Sequence, residues 1–82
     1  LRRVNARLNT VLSNEPGSLA SLATVISQQG GNISNINLTD RNPDFFKFEL
    51  DLEVKDVEHM RSIIAVLQAN KYVESVERAD AG

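Results

Sequence analysis

The sequence predicts an α+β sandwich in which two helices cover one face of a four-stranded antiparallel sheet, with the elements in the order βαββαβ. Three observations carry that expectation. Along Phe45–Val54, the apolar residues Phe46, Phe48, Leu50, Leu52 and Val54 alternate strictly with Lys47, Glu49, Asp51 and Glu53, so one strand face is core and the other is wet. Two other segments place apolar residues at i, i+3, i+4 and i+7: Leu19, Leu22, Ala23 and Ile26, then Met60, Ile63, Ile64 and Leu67. Finally, Asn14-Glu15-Pro16-Gly17, Gly30-Gly31 and Arg41-Asn42-Pro43-Asp44 interrupt the pattern where such elements must end. The plan is the ferredoxin-like, split-βαβ one, with expected strand order 4-1-3-2 and strands two and four on the edges.

Taken in order, Ala6–Ser13 reads as the first strand, with Leu8, Thr10 and Leu12 on one face. Pro16 suits the first helical position, where its missing N–H costs nothing, and Ser18 is the rival N-cap. Gly30-Gly31 ends the helix, because glycine adopts the left-handed conformation without strain. Asn32–Thr39 is the second strand even though asparagine is a weak strand former. Ile36 and Leu38 face one way; Ile33, of opposite parity, either faces out or marks a bulge. After Phe45–Val54, Asp56 caps the second helix, Asn70 closes it in a left-handed conformation, and Tyr72–Arg78 forms the last strand. Tyr72 is expected to pack at the sheet end, and Phe48 near the core centre. No repeat or linker interrupts the chain, and only Leu1–Asn5 and Ala79–Gly82 read as loose ends, leaving an ordered core of about residues 6–78.

A chain of 82 residues with 41% hydrophobic content is one small folded domain. It begins at Leu1 rather than Met, which predicts a segment of a longer protein. With no cysteine there is no disulfide framework, CxxC redox site or thiolate metal site, and a single histidine leaves no His-rich metal site. No metal and no cofactor is expected. No apolar run approaches the ~18 residues of a membrane span and no secretory segment is visible, so a cytoplasmic, membrane-free location is expected. The net charge of −2 is uneven: setting aside Arg2, Arg3 and Arg7 leaves 6 basic against 11 acidic residues, a net of −5. Such a body is a poor general binder of nucleic acid, whose affinity rests on neutralising phosphates.

The residues exclude several uses of this plan. A copper chaperone needs two thiolates in the first loop. A phosphate-cradling first loop needs cations, and Ser13–Gly17 has no Arg or Lys. A base-stacking RNA surface needs aromatics on the open sheet face, yet Phe46 and Phe48 share parity with Leu50 and Leu52, which leaves Phe45 alone there. Glu49, Asp51 and Glu53 read as the wet face of a strand, since carboxylates spaced by two along one strand do not converge on one ion. His59, in the first turn of helix two, reads as a solvated residue without a catalytic partner, and no catalytic residue is assigned.

What remains is the first loop and the Asn-rich strand. The start of helix one presents the N–H groups of Gly17, Ser18 and Leu19 without intrahelical partners, at the positive end of the helix dipole. That suits a carboxylate. Asn14 both donates and accepts, and the edge of strand two offers carbonyls to an ammonium group. The constellation fits a free amino acid. Equally, Pro16-Gly17 makes a tight turn and the asparagines blunt an edge strand.

Asn14-Glu15-Pro16-Gly17-Ser18-Leu19-Ala20, Ile26 and Gly30-Gly31-Asn32-Ile33 resemble the signature of the ACT domain family of small ligand-binding regulatory modules. Leu50-Asp51-Leu52-Glu53-Val54, Asp56, His59-Met60, Ile63-Ile64, Leu67 and Val76-Glu77-Arg78 resemble the C-terminal ACT domain of RelA/SpoT-type enzymes, which make and hydrolyse (p)ppGpp in bacteria. The match runs from Arg7 to Arg78. The resemblance implies a non-enzymatic regulatory domain that forms a homodimer through an edge strand or its helices. It also implies an effector, often an amino acid, bound where the first loop of one copy meets strand two of the other; with the free N–H cluster beside the Asn-rich edge, a branched-chain amino acid is expected. By that resemblance Asn14 and Gly17 are first-loop contacts, and Asn32 and Ile33 strand-two contacts. Glu15 departs from the Arg often found before the proline. The alternative is a ligand-free module that docks on the catalytic domains of its parent or on the ribosome; the basic cluster Arg2, Arg3 and Arg7 offers the contact.

Overall fold

The computed structural model describes residues 3–79. Its elements are β1 (Val4–Ser13), α1 (Ser18–Gln28), β2 (Asn32–Arg41), β3 (Phe45–Val54), α2 (Val57–Gln68) and β4 (Val73–Arg78). The sheet order is β2-β3-β1-β4, the expected order read from the other edge, and every pairing is antiparallel. Val4 and Asn5, expected to be loose, extend β1 and pair with Val54 and Glu53. Leu1, Arg2 and the end from Asp80 to Gly82 lie outside the described residues.

The core follows the alternation. Leu8, Leu12, Leu50, Leu52 and Val54 from the sheet meet Leu22, Ile26, Met60, Ile63 and Leu67 from the helices. Tyr72 and Ile64 pack against this cluster half-buried. Thr10 shares the inward face of β1, and its hydroxyl is buried without a hydrogen-bond partner among the described residues.

The helix ends depart from expectation at three points. Gly17 is the N-cap of α1, in the left-handed conformation at φ 85°, and no side chain caps the helix. The Ser18 N–H donates to Glu15 C=O across a tight turn (3.2 Å), so Pro16 lies in that turn rather than at the first helical position. Ser18 is the first helical residue and points inward. This rotates the buried row to Ser18, Leu22 and Ile26, an i, i+4, i+8 line, and leaves Leu19 and Ala23 exposed. At the far end Gly30 (φ 81°) closes α1: the Gly31 N–H donates to Ile26 C=O and the Gly30 N–H to Ser27 C=O, both at 3.0 Å. A side chain at Gly31 would place its Cβ 2.9 Å from Ile63 Cδ1, so this residue packs the two helices together. Asp56 caps α2 as expected, accepting from the His59 N–H at 2.8 Å. Asn70 does not take up a left-handed conformation; the α2 C-cap is Ala69, in the right-handed helical region. Asn70 instead ties the helices, donating to Ser21 Oγ (3.1 Å) and accepting from the Tyr72 N–H (2.8 Å).

Strand β2 is bulged, the second of the two alternatives for Ile33. Its register against β3 shifts between Ile33 and Asn35, and again between Leu38 and Asp40. The first shift brings Ile33, opposite Leu52, and Ile36, opposite Leu50, to the same helix-facing side. At each bulge the skipped residue's hydroxyl takes over from the ladder: Ser34 donates to Asp51 C=O (3.2 Å) and Thr39 to Lys47 C=O (3.0 Å).

Phe48 is 3% exposed within this core. Phe48→Ala is expected to cost about 3–5 kcal/mol, most of a small domain's stability. Chemical denaturation of the variant checks this, and a midpoint close to wild type would mean that β3 faces the other way.

Candidate functional site

The helix mouth is open. Gly17 is exposed and a Cβ built there meets nothing within 4 Å. Ser18 spends its N–H on Glu15, but those of Gly17, Leu19 and Ala20 have no hydrogen-bond partner among the described residues. The Asn14 side chain is partly committed: its amide donates to Asn42 C=O (2.9 Å), its side-chain oxygen has no partner among the described residues, and its backbone N–H bonds Asp44 C=O (2.9 Å). The Glu15 carboxylate accepts a hydrogen bond from the Ser13 hydroxyl.

Beside the mouth runs a groove of about 190 Å³ lined only by Leu19, Ile36, Leu38, Phe46 and Phe48. Leu19, Ile36 and Leu38 are 46%, 42% and 52% exposed. Leu19 and Phe46 also line the cleft formed by Asn14–Ala20, so mouth and groove are continuous. Phe46 and Asn14 further border a shallow hollow with Arg41, Asn42 and Pro43, and Arg41 has no ion pair among the described residues. The groove is smaller than the ~300–1,000 Å³ typical of drug-sized ligands, and it suits a short aliphatic side chain.

Asn14, Gly17, Ser18 and Leu19 are therefore brought together. Asn32 and Ile33 are not: they begin β2 at the other end of α1, a helix of 11 residues and hence roughly 16 Å long. Ile33 is half-buried against the core, and Asn32 donates to Glu53 Oε1 at 2.9 Å. Ile36, Leu38, Phe46 and Arg41 are the groove and rim residues that periodicity alone assigns to the core or to a turn. A signal for Ile36 and Leu38 exists in the sequence: Pro16–Thr39, 24 residues, carries no charged side chain, whereas the other 58 carry 20. That stretch is α1 and most of β2, which makes this edge of the molecule a charge-free surface.

The open sheet face is the opposite. Each acid of β3 lies between polar partners from both neighbours: Glu53 between Asn5 and Asn32, Asp51 between Arg7 and Asn35, Glu49 between Asn9 and Asn37. Arg7 grips Asp51 through two hydrogen bonds (2.7 and 3.2 Å), and Asn37 reaches Glu49 at 3.4 Å. The β2 asparagines thus serve the carboxylates of the neighbouring strand. Arg3 donates to Glu53 C=O (3.2 Å) and Gly30 C=O (3.4 Å). Both described members of the arginine trio are spent within the domain; Arg2 lies outside the described residues. No group of three or more potential metal ligands occurs among the described residues, and no helix there is long and apolar enough to cross a membrane.

Fold and site together define a ferredoxin-like module whose accessible features are an uncapped helix mouth and an uncovered apolar strand. The chain belongs to the ACT domain family, whose profile matches residues 2–78. It is 35% identical over 78 residues to the GTP pyrophosphokinase rsh of Brucella ovis and to that of Brucella abortus, matching 95% of this chain and 10% of those proteins. The chain therefore spans about a tenth of the length of these curated relatives. Among solved structures it is similar to the ACT domain from the GTP pyrophosphokinase of Chlorobium tepidum, with a TM-score of 0.77 at 25% identity over 94% of this chain and 99% of that one. A homoserine dehydrogenase from Thiobacillus denitrificans shares the fold (TM-score 0.67, 19% identity, 92% of this chain and 17% of that one). The resemblance read from the Pro-Gly turn and the Gly-Asn-Ile step is borne out.

The Arg7 hydrogen bond holds the Asp51 carboxyl below its ordinary value, with the Arg7 charge and a hydrogen bond from Asn35 adding to it and desolvation opposing it. A carboxyl depressed in this way stabilises the fold at neutral pH, and the contribution is lost only as the pH falls through the depressed value. A carboxyl ¹³C titration is expected to find Asp51 ionising below the usual aspartate range, and Arg7→Gln is expected to raise it toward that range.

Proposed function

We propose that this chain is the regulatory ACT domain of a GTP pyrophosphokinase of the (p)ppGpp-making type, that it binds a small aliphatic amino acid, and that it works as a pair. The observation that carries the reading is the continuity of the open mouth with the apolar groove. A free carboxylate meets the N–H groups of Leu19 and Ala20 at the positive helix end, with Arg41 near the rim. A branched side chain then lies against Ile36, Leu38 and Phe46. The ammonium group finds acceptors in the Asn14 side-chain oxygen and the carbonyls of the β2 edge.

The charge-free face supports pairing. In a two-fold interface each patch meets its own copy, so any net charge on the patch repels itself. A face without charges, in a chain of net charge −2, removes that cost along α1 and the Asn32–Thr39 part of β2. In such a pair the Asn32–Ile33 end of β2 from one copy can approach the first loop of the other. The amino acid regulates the parent enzyme, in the cytoplasm where GTP is used, to the extent that it binds one arrangement of the domains more tightly than another. The chemistry itself belongs to other parts of the parent.

Titration of the ¹⁵N-labelled chain with millimolar valine, isoleucine and leucine tests this. The amides of Gly17–Ala20 and the methyls of Ile36 and Leu38 are expected to shift together and saturably. If no amino acid moves those signals, the domain does not sense amino acids at this site.

A further inference from the structure

His59, the single histidine of the chain, is not a solvated helix residue. It is half-buried, and both ring nitrogens are engaged by backbone groups of different elements. Nδ1 accepts from the Lys55 N–H at 2.9 Å, just ahead of α2. Nε2 lies 2.6 Å from Gln29 C=O, at the C-cap of α1. Asp56 and His59 thus form a variant of a capping box, in which the imidazole at the third helical position reaches back to the N–H of Lys55, one residue before the N-cap. The ring's other nitrogen satisfies one of the carbonyls that a helix C-terminus leaves without a partner. Gly30 lies directly beneath the ring: a Cβ there would be 3.7 Å from Nε2.

The two bonds fix the proton. A backbone N–H only donates and a carbonyl only accepts, so the arrangement requires a bare Nδ1 and a protonated Nε2. A second proton on Nδ1 would set an N–H donor against the Lys55 N–H. The bond to Gln29 would survive, since a charged ring donates from both nitrogens and the negative end of α1 favours it. Lys55, Asp56 and Glu58 are the charged groups near the ring in sequence, and Arg3 reaches the Gly30 carbonyl from the β1 side. The α1–β2 turn itself contributes only Gln29, Gly30 and Gly31, all uncharged.

We propose that His59 is a proton-operated latch at the start of α2: neutral, it holds both the Lys55 N–H ahead of the helix and the α1–β2 turn; charged, it releases Lys55 and keeps the α1 side. Acidification then loosens the β3–α2 connection at Lys55, while α2 stays tied to the turn from which β2 begins. The latch needs neither a ligand nor a second copy.

Long-range ¹H–¹⁵N spectra of the imidazole, followed with amide exchange as the pH is lowered, test this on the chain as it stands. While the ring is neutral it is expected in the Nε2–H form. As the ring charges, Lys55 amide exchange, corrected for its intrinsic pH dependence, is expected to rise about fivefold, what one ordinary hydrogen bond is worth. The Gly30 and Gly31 signals are expected to follow the same curve. In His59→Gln, whose side-chain oxygen can accept from the Lys55 N–H at any pH, that step is expected to vanish. A neutral ring in the Nδ1–H form, or a Lys55 amide equally protected with the ring charged, would overturn the proposal in the wild-type chain.

Discussion

Two helices cannot roof four strands completely, and where the roof stops decides what this domain can do. The buried row of α1 is narrow because Ser18, a small residue, begins it. Leu22 and Ile26 are buried in the core, while Leu19 turns outward. Ile36 and Leu38 face the helix side of the sheet, but no helix covers them. Covering the exposed halves of Leu19, Ile36 and Leu38 is worth about 2–4 kcal/mol. This unspent burial drives whatever occupies the surface, whether a ligand side chain, a second copy or both.

The bulges of β2 make that surface possible. Without the register shift at Ser34, Ile33 and Ile36 would lie on opposite faces, and one would point into the carboxylate rows of β3. With it, every isoleucine and leucine of β2 lies on the helix side and every asparagine on the polar side. The Ser34 and Thr39 hydroxyls meet the carbonyls that the shifted ladder leaves, so the bulges cost little. The same bulges twist an edge strand and interrupt its flat stretch, which limits indiscriminate strand addition. The middle of β2, Asn35–Leu38, remains regular and available.

Much of this was legible in the residues. Strict alternation places β3 to the residue, and i, i+3, i+4, i+7 spacing finds both helices. The Pro-Gly turn and the Gly-Gly stop bracket α1. Periodicity fails where it is asked which apolar residues are covered. Leu19 belongs to the apolar stripe by spacing, yet a left-handed Gly17 starts the helix two residues later than a Pro16 start, and the covered row falls elsewhere. Ile36 and Leu38 have the right parity for the core, but parity says nothing of how far a helix reaches. The β2 asparagines looked like weak strand formers because their partners, the acids of β3, lie on another strand. The absence of charge from Pro16 to Thr39 is the sequence trace of the exposed surface.

If the uncovered strip of β2 is where this domain meets others, its association state should hinge on one exposed side chain. Sedimentation velocity of the chain and of Leu38→Lys, with melting curves for both, measures this most directly. A two-chain species for wild type, a single-chain species for the variant and the same melting temperature are the predicted results. A wild-type chain that stays single at millimolar concentration, or a pair indifferent to a lysine at position 38, would contradict the account.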